Sequence, residues 1–211
     1  MRVTTAFASP DVAPDELADL MWSTDPHLNG YMYGKMSTLH KLIKSEWSGA
    51  HGLFSHRQAF TASMDGKIAG LLIGHTEEEY AAHFAYSTVH QPAALEGAEA
   101  THMETALHWM DRLFPVPRQN SYYILELAVA PGAQGKGLAG QLFGMAMERA
   151  RSRNCARICL DVSADNPATG FYRHLGFQTE VETRVPLLDE KHGIGRHLHM
   201  VKDLSNAPWQ G

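Results

Sequence analysis

Between Tyr122 and Gln141 the chain reads YYILELAVAPGAQGKGLAGQ, a nearly continuous apolar run, a loop carrying Gly135 and Gly137, and the first turn of an amphipathic helix. A strand that ends where a helix begins aims that helix's unpaired backbone N–H groups, and its positive dipole end, at one spot. Such a spot binds phosphate. Glycine has no Cβ, so a bulky anion can approach the backbone closely and a positive φ carries no steric cost. The segment therefore predicts a phosphorylated ligand. Within the apolar run Glu126 is the only charged residue. Burial raises a carboxyl pKa towards the range useful to a general base, which makes Glu126 a candidate proton acceptor. Alternation sets it opposite Leu125 and Leu127, so pairing with an arginine on the outer face is the competing reading.

Gly135-Lys136-Gly137-Leu138-Ala139-Gly140 satisfies the dinucleotide pattern G-x-G-x-x-G, with Asp161 at about the expected distance downstream. That pattern wants its first glycine almost directly after the strand, whereas Ala130 to Gln134 intervene here, and too little chain follows Asp161 for further βα units. Gln134-Gly135-Lys136-Gly137-Leu138-Ala139 fits better elsewhere. Preceded by Val129-Ala130-Pro131, it resembles the Q/R-x-x-G-x-G/A signature of the GCN5-related N-acetyltransferases. A second stretch, Asn166-Pro-Ala-Thr-Gly-Phe171-Tyr172-Arg-His-Leu-Gly176-Phe177, resembles that family's motif near the acceptor end of the site. The two lie in the right order, separated by one strand, and the resemblance covers about residues 121–180.

The resemblance implies an α/β fold: a mixed, mostly antiparallel sheet, splayed in the middle and flanked by helices, in a single acetyltransferase domain. It implies acetyl-CoA as co-substrate, with the pyrophosphate on the amides around Gln134, Gly135, Lys136, Gly137, Leu138 and Ala139. Lys136 either adds a point charge there or is a solvated loop residue. The backbone of Leu127, Ala128 and Val129 is expected to face the acetyl carbonyl and the pantetheine arm, offering N–H groups to an oxygen that gains charge. Tyr172 matches the position of the family's general acid. A phenol with pKa near 10 can return a proton to a thiolate whose thiol pKa is near 8.5 when both are held out of water. The competing reading is a packing tyrosine with a capped hydroxyl. Asn166 corresponds to a ligand contact, but its interval to Tyr172 is one residue shorter than the commonest form, which favours helix capping instead. Where some members carry a strand glutamate this chain has Tyr123. The expected reaction is direct attack, in a ternary complex, of a primary amine of a small molecule or peptide. A non-catalytic acyl-CoA-binding module is the alternative.

The composition agrees with a globular chain of ordinary domain size: 211 residues, 44% apolar and 19% charged. A net charge of −5 without a block of Lys or Arg argues against nucleic acid as the main partner. No apolar run approaches a membrane span, and no signal peptide precedes the first strand, so a cytoplasmic protein without a membrane partner is expected. Cys155 and Cys159 read as free thiols. Thirteen histidines invite a metal, but no ligand spacing appears, and most of them are expected on the surface or in loops; His197 and His199 share one strand face.

The elements that must position these residues follow from periodicity. Arg2 to Ser9 reads as a first strand, and Asp15 to Trp22 and Met36 to Trp47 as helices. Arg57 to Met64 and Lys67 to His75 form a hairpin through Asp65-Gly66. Residues 76–120 are an insertion relative to the family. It reads as a helix over Thr76 to His90, a loop over Gln91 to Gly97 and a helix over Ala98 to Phe114. A packed appendage, a lid over the acceptor end and a homodimer contact all remain open for it. After the central strand and its helix, Ala156 to Val162 is a strand. Phe177 to Leu187 and Ile194 to Leu204 close the sheet around a turn at Glu190 to Gly195, and Ser205 to Gly211 is a tail.

Overall fold

The computed structural model of the chain describes residues 2–204, so the tail from Ser205 lies outside the described residues. Among them seven strands form one sheet in the order β1-β2-β3-β4-β5-β7-β6. The strands are β1 (Val3–Phe7), β2 (Ala59–Met64), β3 (Lys67–Thr76), β4 (Ser121–Val129), β5 (Arg157–Ser163), β6 (Gln178–Thr183) and β7 (His197–Asp203). Every neighbouring pair is antiparallel except β4 and β5, which run parallel. Asp65 and Gly66 close the β2–β3 hairpin with φ of 50° and 84°, the two positive values a tight two-residue turn requires.

Helix α6 (Leu138–Ser152) lies on one face of the sheet with α7 (Ala168–His174). Its Leu138, Leu142, Phe143, Ala146 and Ala150 join Tyr122, Ile124, Ile158 and Leu160 in one core. Spacing of three and four residues delivers that stripe, as the sequence pattern predicts. On the opposite face α1 (Pro14–Trp22) and α3 (Met36–Glu46) bury Leu17, Leu39, Leu42 and Ile43 against Leu71 and Ile73.

The insertion folds as two helices, α4 (Glu77–Ala93) and α5 (Gly97–Leu113), packed on that second face. Thr76 and Glu79 cap α4 reciprocally, each side chain accepting from the other's backbone N–H. Glu46 of α3 fastens α4 from inside. Its Oε1 accepts from Ser87 Oγ at 2.6 Å and Gln91 Nε2 at 3.2 Å, and its Oε2 accepts from the Phe54 amide at 3.1 Å. Glu79 also pairs with Arg153 at the end of α6.

Two expectations are corrected. α4 runs on through Pro92 to Ala93, where a loop was expected after His90. Two further helices appear: α2 (Pro26–Tyr33) and α8 (Pro186–His192), the latter where sheet and turn were expected. α2 contains no fully buried residue, so it has no apolar stripe to read, and only Asp25 before Pro26 marks its start. In α8, Pro186 at the first turn and Gly193 at φ 65° were the signals that strand-like residues around them concealed. Four of the thirteen histidines, His75, His83, His197 and His199, are buried in the core.

Candidate active site

The parallel ladder between β4 and β5 holds from Ser121–Arg157 to Ile124–Leu160 and stops there. Beyond it Leu125–Val129 and Asp161–Ser163 diverge as the two arms of a V. A cavity of about 760 Å³ fills the gap. Glu126, Leu127 and Val129 line it from one arm and Asp161 and Ser163 from the other, with the start of α6 at one end.

That end is an open helix start with the shape of an anion cradle. Gly137 precedes α6 at φ 80° and Gly135 has φ 72°, and a Cβ built on either meets no atom within 4 Å. Among the described residues the amides of Gly135 to Ala139 donate to no protein acceptor. Unpaired amides beside open space at a helix N-terminus suit an anion such as a pyrophosphate. Gln134, Leu138 and Ala139 line the cavity with the two glycines. Lys136 stands apart: its Nζ folds back onto the Gly132 carbonyl at 2.8 Å and the residue is not in the cavity wall.

The β4 arm carries both backbone donors and a carboxyl. The Ala130 amide bonds the Ala69 carbonyl. Alternation along the strand therefore turns Ala128 towards β3, and aims the N–H groups of Leu127 and Val129 into the gap. Ala128 also buries its side chain in the core, so of the three strand residues it alone does not reach the cavity. Opposite Leu125 the register with β3 shifts between Ile73 and Gly74, leaving Leu125 unpaired. This bulge re-phases the strand. Tyr123 faces His75 and Glu126 faces Ile73, so Glu126 shares Tyr123's side of the sheet and opens on the cavity.

Glu126 makes no ion pair among the described residues, and the expected arginine partner is not there. Burial pushes its carboxyl up to about 8, and the charge of Asp25 adds to this, while Thr24 and the Leu127 amide pull the other way. A carboxyl in that range is poised to accept a proton near neutral pH. Tyr172 of α7 is buried in the wall, packed against Phe171 and Phe177 with ring centroids 5.6 and 5.8 Å away. Its hydroxyl has no hydrogen-bond partner among the described residues, so it is not the capped packing tyrosine of the competing reading. Burial, reinforced by the charge of Glu126, raises its pKa well above the ordinary tyrosine value, and it therefore holds its proton as a donor. Asn166 lines the cavity but spends its side chain on the fold: Oδ1 accepts from the Ala168 amide at 2.8 Å, and Nδ2 reaches the Thr24 carbonyl at 3.4 Å.

Sequence reasoning missed Asp25, Thr24 and His197, which also line the cavity. Asp25 accepts from the Leu28 amide at 2.9 Å as the cap of α2, so the Asp-Pro helix start was the one available signal. No Lys or Arg among the described residues lines the cavity, whereas Asp25, Glu126 and Asp161 do. Among the described residues no group of three or more His, Cys, Asp or Glu is arranged to hold a metal ion. The insertion contributes Tyr80 and Phe84 to the wall.

This open helix start beside a splayed parallel strand pair coincides with a family model. The acetyltransferase (GNAT) family model matches residues 17–177. The chain belongs to this acetyltransferase family. Solved structures of the same fold include an N-acetyltransferase from Staphylococcus aureus Mu50, at 16% identity and TM-score 0.67, covering 94% of this chain and 100% of that one. SsHAT is similar at 17% identity and TM-score 0.68, over 98% and 100% of the two chains. A chain of the NatC complex bound to Gag peptide and CoA matches at 13% identity and TM-score 0.58, over 97% and 100%. No curated protein matches the chain in sequence.

Proposed function

We propose that this GNAT acetyltransferase transfers the acetyl group of acetyl-CoA directly to a primary amine held in the same cavity. The observation that carries this reading is the pairing, in one cavity, of the open anion cradle at Gly135 and Gly137 with two proton-handling groups, Glu126 and Tyr172. Acetyl-CoA supplies the thioester, and the cradle amides hold its pyrophosphate. The CoA-bound state of the similar NatC chain supports this choice of donor.

The residues divide the work. Glu126 takes the proton that an ammonium must lose before its nitrogen can attack. The N–H groups of Leu127 and Val129, fixed along the open edge of β4, stabilise the carbonyl oxygen as it gains charge. Tyr172 returns a proton to the departing thiolate. Asp25 and Asp161 add acidic side chains to a wall without Lys or Arg among the described residues, which favours a cationic acceptor over a neutral or anionic one. The apolar surround excludes water and strengthens each of these interactions.

The test is a CoA-release assay across a panel of small amines and peptides with free N-termini. Amine-dependent release of free thiol is expected, growing towards pH 8. Binding of acetyl-CoA with no release by any amine would reduce the protein to an acyl-CoA-binding module.

A further inference from the structure

Part of the cavity is a chamber walled by the insertion. Tyr80 and Phe84 of α4, Met110 of α5 and Phe114 just beyond it line the chamber opposite Tyr123. The rings also pack on one another: Tyr80 and Phe84 stack at 5.7 Å, Tyr80 meets Tyr123 edge-on at 4.9 Å, and Phe114 meets His197 edge-on at 5.4 Å. Such walls accept a ring or a compact apolar group through offset and edge contacts.

Two buried polar atoms in this wall have no partner, His197 Nε2 and Asp161 Oδ2. His197 is 3% exposed and the Asp161 side chain 2%. Their other atoms are engaged. His197 Nδ1 lies 3.2 Å from the Gly195 carbonyl, a contact only an Nδ1–H can make. Burial lowers the pKa of this ring, so it is neutral and Nε2 presents a lone pair. Asp161 Oδ1 pairs with His199 Nδ1 at 3.0 Å, and the carboxylate lies close enough to the Tyr123 phenol to hold that proton on, while Oδ2 makes no hydrogen bond among the described residues. Both orphaned atoms are acceptors, and buried acceptors are rarely left unpaired.

Resting on the acetyl-transfer reading, we propose that this chamber is a second recognition site that selects the acceptor. It takes the far end of a primary amine whose middle is a ring or similar apolar body. That far end carries an O–H or N–H, which donates to His197 Nε2, with Asp161 Oδ2 as the second acceptor. The reacting amine lies towards Glu126 and Asp25, and the ring lies among Tyr80, Phe84 and Phe114. The insertion is then what narrows the acceptor from amines in general to arylalkylamines bearing a distal donor.

Three probes differing at one position test it: tyramine, 2-phenylethylamine and 2-(4-methoxyphenyl)ethylamine. Tyramine is expected to show the highest kcat/KM, by about tenfold, the scale of one hydrogen bond to a buried acceptor. The methoxy compound, which has no donor, should do no better than 2-phenylethylamine, and this comparison needs no variant. In His197→Leu the tyramine preference should collapse towards parity while acetyl-CoA affinity is unchanged. Equal kcat/KM for all three amines would overturn the proposal and leave acetyl transfer standing, as would faster turnover of 1,5-diaminopentane or glycyl peptides. Absence of turnover with every amine would remove both readings together.

Discussion

Replacing Glu126 by Gln should make the protein more stable and much less active at the same time. The carboxyl is raised from its ordinary 4.5 to about 8 in the folded protein, chiefly by burial. The folded state therefore holds a proton that the unfolded chain releases above pH 4.5. That contribution is fully favourable below 4.5, declines as pH rises, and levels off above 8. At pH 7 the gap of 2.5 pH units costs the native protein about 3 kcal/mol, at about 1.4 kcal/mol per unit. Gln has the same shape and no charge to desolvate. Urea titrations of wild type and Glu126→Gln should thus coincide near pH 4.5 and diverge by up to about 3 kcal/mol at pH 7 in favour of the variant. Over the same range wild-type kcat/KM should climb to a plateau with a midpoint near 8, and the variant should lose on the order of 10²–10⁴ in rate with no such limb. A stability difference that does not change with pH, or a variant that keeps the limb, would refute the assignment of the buried proton to Glu126.

Three further outcomes follow from the same geometry. Gly137→Val puts a branched side chain into open space at φ 80°, so it should weaken acetyl-CoA binding about tenfold or more by isothermal titration while strain costs the fold only about 1–2 kcal/mol. Tyr172→Phe should lower kcat on the order of 10²-fold with acetyl-CoA affinity and melting temperature nearly unchanged, because the hydroxyl has no protein partner to lose. His75 is buried and burial lowers its pKa to about 3, so below pH 6.5 only the unfolded chain takes its proton. Wild-type stability should fall relative to His75→Leu by about 1.4 kcal/mol per pH unit between 6.5 and 3, measured by denaturant titration.

The cradle was legible because its parts are contiguous: a strand, two glycines and a helix start occupy a single stretch of chain, and each has a local signature. The α6 stripe and the Asp65-Gly66 turn were legible for the same reason. The orientation of Glu126 was not, because it depends on a one-residue slip between β3 and β4 that no residue type announces. Strict alternation gives the wrong face. Asp25 and His197 escaped because what brings them to the V is tertiary: one caps a helix without an apolar stripe, and the other sits on a strand next to β5 but late in sequence. The four buried histidines went unread for a related reason. Burial of a neutral imidazole leaves no composition signal.

The central claim is acetyl transfer to an amine, and single-turnover reaction with acetyl-labelled acetyl-CoA tests it most directly. Enzyme in excess is mixed with labelled acetyl-CoA and tyramine at pH 8, and the label is followed by mass spectrometry. Label is expected on the amine nitrogen at a rate that falls on the order of 10²-fold or more in both Glu126→Gln and Tyr172→Phe, with none left on the protein. Label retained on a side chain, or transfer at an unchanged rate in both variants, would contradict direct attack with Glu126 and Tyr172 as the proton-handling pair.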